Sequence, residues 1–94
     1  MKKLILITAA LAMLAAPLQA ADCFADYKAK RNDPLKLHYG VARLQGGCSK
    51  GSAQAELSAR LSANGWTLLN VLSVFDASGL QRRKSSAGSY YLRY

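Results

Sequence analysis

Acidic groups are scarce in this chain of 94 residues: five Asp and Glu stand against 13 Lys and Arg, with one histidine, two cysteines and one tryptophan. The five carboxylates, Asp22, Asp26, Asp33, Glu56 and Asp76, fall at expected helix starts, turns and loop ends, where such residues serve as caps and turn formers. No two are spaced to set an acid and a base on one element. His38 and two cysteines fall short of the four ligands of a zinc site, and the cysteines are too far apart for a redox pair. Gly46-Gly47 and Gly51 lack the lysine and the spacing of a phosphate-binding loop. A serine-histidine-aspartate site, whose members meet only in space, has His38 as its single base and little chain with which to wall off a dry pocket of ~300 Å³. These shortages argue against an enzyme and predict no metal and no cofactor.

No apolar run reaches the ~20 residues of a membrane-crossing helix. What is present at the start is a shorter pattern. Met1-Lys2-Lys3 is cationic, residues 4–16 are apolar except for Thr8, and Pro17-Leu18-Gln19-Ala20 ends on a small residue. These are the three parts of an export signal. The reading is a cleaved signal over residues 1–20 and one small domain over residues 21–94, periplasmic or secreted in a cell of Gram-negative type. A domain that small buries roughly 60% of the surface its unfolded chain exposes, so its core is marginal and calls for a staple. Cys23 and Cys48 supply one: two cysteines in an exported chain are most simply an intramolecular disulfide. Pairing between molecules is the alternative.

Loss of Lys2 and Lys3 with the signal takes the 13 basic residues to 11 against five acidic ones, a formal charge of +6 on residues 21–94. Such a field draws the domain towards anionic surfaces. In an exported chain, envelope anions come before nucleic acid. The same excess also suits a plain soluble surface.

Along residues 21–94, Phe24, Tyr27 and Ala29 among Lys28, Lys30 and Arg31 suggest a short helix over residues 22–32, stopped by Asp33-Pro34. Leu35, Leu37, Tyr39 and Val41 then alternate with Lys36, His38 and Gly40, a period of two that predicts a half-buried strand to about Leu44 with His38 on its polar side. Ser52 is the expected cap of a helix whose stripe is Ala53, Leu57 and Leu61, with Glu56 in its first turn and Asn64-Gly65 as its stop. Residues 66–75 are apolar enough for a strand covered on both sides or a central strand. Residues 76–79 form a turn, residues 80–88 a polar basic connection, and Tyr90, Leu92 and Tyr94 mark a terminal strand. The expected fold is α+β: a small two-layer β-α-β-β sandwich with a short N-terminal helix and one disulfide.

Leu57 to Leu61, Asn64-Gly65-Trp66-Thr67-Leu68-Leu69-Asn70-Val71 and the closing Tyr91-Leu92-Arg93-Tyr94 together resemble a small, widespread bacterial domain family of unknown function. In that family a helix ends in Gly-Trp, a Leu/Val strand follows, and a terminal strand closes on an aromatic or aliphatic residue and a basic one. The resemblance covers about the last half of residues 21–94; the cysteines and the basic connection depart from it. It implies a β-α-β-β fold and transfers no activity and no site residues.

Arg82-Arg83-Lys84, with Arg93 and the tyrosines Tyr90, Tyr91 and Tyr94 near it, is the most concentrated polar feature. It is a candidate anion contact through charge and cation-π surface, or else a solvated segment that keeps strand edges apart. Trp66 is expected to fill the core at a helix-to-strand corner. The function expected from all this is a non-enzymatic binding module for a protein partner or an anionic envelope component. The alternative is a small inhibitor or accessory subunit of a secreted enzyme.

Overall fold

The computed structural model describes residues 22–94, so the expected export signal over residues 1–20 lies outside the described residues. The fold is α+β. Three antiparallel strands, β1 (Cys23–Arg31), β2 (Lys36–Leu44) and β3 (Thr67–Phe75), stand in the order β2-β1-β3. Helix α1 (Lys50–Ser62) links β2 to β3, and a second helix, α2 (Gln81–Ala87), follows β3. The disulfide is intramolecular and joins Cys23, at the head of β1, to Cys48, just ahead of α1.

The main core lies between α1 and one face of the sheet. Ala53, Leu57 and Leu61 are fully buried, as their i, i+4, i+8 spacing predicts, and they meet Ala25, Tyr27, Ala29, Ala42, Leu44, Trp66 and Val71. The helix starts earlier than expected. Ser49, not Ser52, is the cap: its hydroxyl accepts from the Ser52 N–H at 3.1 Å. Glu56 therefore sits beyond the first turn, where it accepts from the N–H groups of Gln45 and Gly46 and pairs with Arg60 one turn on. Gly65, at φ 83°, closes the helix as foreseen, and Trp66 N–H returns to the Leu61 carbonyl.

Several expectations are corrected. Residues 22–32 do not form a short helix; they contain β1, the central strand, hydrogen-bonded on both sides. Its Lys and Ala residues favour helix locally, but pairing with a strand on each side takes up its backbone and buries Ala25, Tyr27 and Ala29 on one face and Phe24 and Asp26 on the other. β3 is accordingly an edge, neither covered nor central: Val71 is the only buried residue between Thr67 and Phe75, while Leu69 and Leu72 are exposed. The alternation in β2 is real, but the side that faces α1 is not the expected one: of Leu35, Leu37, Tyr39 and Val41 only Val41 is buried, on the opposite face, while Leu35 and Leu37 are exposed. His38, Gly40, Ala42 and Leu44 face α1 with Ala29, Tyr27, Ala25 and Cys23, their partners in register. Gly40 is where the Tyr27 ring crosses the sheet; a Cβ there would stand 2.4 Å from the Tyr27 hydroxyl.

The basic connection over residues 80–88 is helix α2, whose inward side is marked by Leu80, Arg83 and Ala87 and whose end is Gly88 at φ 56°. It adds a second helix on the face of the sheet opposite α1. The expected terminal strand does not form. A single parallel bridge joins Tyr91 to Val41, Leu92 N–H donates to the Val41 carbonyl at 2.8 Å, and the positive φ of Leu92, 55°, ends pairing there. The tail crosses the edge of β2, the position a fourth strand would take, and continues to the α1 side.

Candidate functional site

Two side-chain clusters and one surface carry the chemistry of the described residues. The first cluster centres on Asp26, buried on the β1 face opposite α1. Register sets Val41 and Ser73 beside it on the two neighbouring strands. Ser73 donates to its Oδ1 at 2.6 Å, Tyr39 to Oδ2 at 2.8 Å, and Arg83 Nε to Oδ2 at 3.0 Å. Burial opposes ionisation of this carboxyl, but the three donors together outweigh it and hold Asp26 below the ordinary carboxylate range. Burial pushes the Tyr39 phenol up to about 12, with the Asp26 charge adding to the effect. Arg83 also donates to the Gly79 carbonyl and lies over the Phe75 ring, 3.9 Å from its centroid. The arrangement is a clasp that binds α2 to the sheet, and all of its donors and acceptors point inward.

The second cluster centres on His38. Tyr90 stacks on its ring at 3.8 Å, Trp66 meets it edge-on at 4.3 Å, and the Tyr27 hydroxyl shares a hydrogen bond of 2.9 Å with Nε2. Trp66 Nε1 donates to the Tyr94 hydroxyl, and Arg60 donates to the Tyr94 carbonyl. The C-terminal tail is thus held over β2 by aromatic contacts. Trp66 fills the corner as expected.

Burial, with the positive Arg93 adding to it, pulls His38 from its ordinary 6.5 down to about 4. Its Nδ1 has no hydrogen-bond partner among the described residues. Between these values the unfolded chain binds a proton that the folded chain refuses, so stability is full above pH 6.5, falls as pH drops through the window and levels off below pH 4. The loss should reach about 3 kcal/mol. Asp26 and Glu56, both held low, lose their contributions only below the ordinary carboxylate range, a separate and more acid window. Urea midpoints measured from pH 7.5 to 4 should show the decline, and His38→Phe should flatten it. A wild-type midpoint constant across that window would refute the assignment.

The expected anion contact is divided by the fold. Arg82 and Lys84 are exposed on α2, with Lys84 Nζ 5.7 Å from the Tyr91 ring. Arg93 is exposed over Tyr90 and Tyr94. Arg83 is turned inward to Asp26, its side chain 17% accessible. A run of three basic residues on a helix cannot share one face, which is why the segment does not act as a single patch.

A surface not singled out in the sequence lies at the turn end of the β1–β2 hairpin. Lys28, Arg31 and Lys36 are exposed there and Lys30 is half-buried, around Leu35 and Leu37, which are 63% and 66% exposed. The alternation of Leu and Lys over residues 35–37 was its one signal, read as a strand with an inward leucine side. No group of three or more metal-ligating side chains occurs among the described residues, and no helix there is long and apolar enough to cross a membrane. Compared with family models, curated proteins and solved structures, the chain matches none of them.

Proposed function

We propose that the chain is exported and works as a small, disulfide-stapled, non-enzymatic binding module for an anionic component of the cell envelope. The observation that carries this reading is the way the fold sorts charge. Three of the five carboxylates are engaged by arginines within the domain: Asp22 by Arg43, Asp26 by Arg83 and Glu56 by Arg60. Asp76 caps the turn after β3 by accepting from Ser78 N–H. Lys28, Arg31, Lys36, Lys50, Arg82, Lys84 and Arg93 are meanwhile exposed. The charges left unpaired at the surface are therefore mostly positive, and such a field raises the encounter rate with polyanions. The disulfide is compatible with an oxidising compartment.

Oxidised residues 21–94 applied to a sulfated polysaccharide matrix should be retained at low ionic strength. Retention should fall as salt shortens the Debye length from about 30 Å at 0.01 M to about 10 Å at 0.1 M. Arg82→Gln/Lys84→Gln should weaken it; Arg83 is left intact, because its loss would strand the buried Asp26. Flow-through at the lowest salt would sink the reading. A captured protein that survives moderate salt would favour the inhibitor or accessory-subunit alternative instead.

A further inference from the structure

The face of the sheet opposite α1 is only partly covered. Helix α2 has seven residues and reaches Asp26 and Phe75 through Arg83. Beyond it, Lys28, Leu37, Tyr39 and Leu69 line an open, shallow concavity of about 240 Å³. Two irregularities in the β1–β3 pairing shape this region. Asn70 pairs with Lys28 and Leu68 with Ala29, which leaves Leu69 without a partner; likewise Leu72 falls between the pairs of Val71 and Ser73. Such bulges re-aim side chains and break an edge for strand addition, and both leucines end up exposed, Leu69 by 48% and Leu72 by 39%.

Cations surround the apolar tip on both faces of the hairpin. Lys28 and Lys30 share the side of Leu37 and Tyr39, their partners in register being Tyr39 and Leu37, while Arg31 and Lys36 are paired on the α1 side. Arg31 lies over the Trp66 ring at 4.8 Å. Asp33, in the turn itself, is the one acid at this end. Protruding leucines ringed by lysines, on a surface without a deep cleft, match an interface that is apolar inside, anionic at its surface and free of fixed shape. Leucine is favourable at the acyl boundary, and each lysine near an anionic headgroup layer adds attraction.

Resting on the anion-binding reading above, we propose that this hairpin end is a membrane-contact surface: Leu35 and Leu37 seat in the acyl boundary of an anionic phospholipid bilayer while Lys28, Lys30 and Lys36 meet headgroup phosphates. The occupant is a lipid surface, and the domain lies on it without crossing.

Co-sedimentation with vesicles of mixed phosphatidylglycerol and phosphatidylcholine, against phosphatidylcholine alone, tests this on oxidised residues 21–94. Binding is expected to the anionic vesicles only. Leu35→Ser/Leu37→Ser should lower partitioning by about tenfold or more. Lys28→Gln/Lys30→Gln/Lys36→Gln should lower it about fivefold per charge, whereas Arg82→Gln/Lys84→Gln should stay within about twofold, since attraction fades within a Debye length. All these positions are exposed except the half-buried Lys30, and unchanged far-UV circular dichroism checks the fold. As a second readout, the emission of Leu35→Trp should shift to the blue on anionic vesicles. Vesicle binding that is indifferent to Leu35→Ser/Leu37→Ser and gives no such shift overturns the membrane proposal while the anion reading stands. So does retention on the polysaccharide matrix with no vesicle binding. A dimer that the same leucine substitutions dissociate would put a second copy on the patch and overturn the lipid assignment. Failure on both matrix and vesicles removes both readings.

Discussion

Replacing Asp26 by alanine should cost the fold about 3–5 kcal/mol, because it leaves a mostly buried guanidinium without its counter-charge. The Asp26 and Arg83 side chains are 9% and 17% accessible, and the carboxylate is the acceptor for three side-chain donors. A domain of this size has a total stability near the low end of about 5–15 kcal/mol, so the variant should be largely unfolded or nearly so at 37 °C. The sheet would lose its hold on α2 first, since the clasp joins β1, β2 and β3 to that helix through one carboxylate. Tyr39→Phe and Ser73→Ala, which each remove one neutral donor, should cost about 1 kcal/mol apiece. Asp26→Ala/Arg83→Met, which removes both charges, should recover much of the loss. Urea unfolding followed by Trp66 fluorescence would measure all four. A loss below about 1 kcal/mol for Asp26→Ala would show that the pair is not holding α2.

Breaking the disulfide should be comparably costly. Cys23 and Cys48 are 25 positions apart, and in the chain-entropy treatment a loop of that length restrains the unfolded state by roughly 3–4 kcal/mol. The link also ties the head of the central strand to the turn that launches α1, so it holds the helix stripe of Ala53, Leu57 and Leu61 in register with Ala25 and Tyr27. Cys23→Ala/Cys48→Ala should lower the urea midpoint with its slope raised or unchanged, and reduction of the wild type should reproduce the shift. Equal midpoints for the oxidised and reduced chains would contradict the staple role.

The features legible in the residues are those set by local chemistry. The α1 stripe and its glycine stop follow from 3.6-residue periodicity and from the left-handed φ that Gly65 accepts. The turn at Asp33-Pro34 is legible as punctuation, although it joins two strands and does not end a helix. β1 was misread because Lys28, Ala29 and Lys30 favour helix when taken alone. Pairing on both edges is a property of the sheet, and no window of nine residues contains it. The side of β2 that meets α1 differs from expectation for a related reason. Leu37 has more apolar surface than His38, but the α1 side offers His38 three aromatic rings, while Leu37 stays 66% exposed.

The candidate site divides the same way. Arg82, Arg83 and Lys84 were visible as a basic run, and only the helix made of them separates Arg83, which is drawn to Asp26 from 57 positions away. The cationic end of the hairpin went unnoticed because Lys28 and Lys30 precede the turn while Lys36 follows it, and antiparallel register alone brings them together.

By itself, the amino-acid order determined the size of the core, the need for a staple and its partners, the α+β class, the α1 helix and the excess of positive charge, since each depends on composition or on spacing within one element. Tertiary structure decided which strand is central, which side of β2 faces α1, which arginine is spent on a buried carboxylate and which leucines are left in the open. Those outcomes depend on contacts between residues far apart in sequence, where the free energy of burial and pairing across the whole sheet exceeds the fractions of a kcal/mol by which local preferences differ.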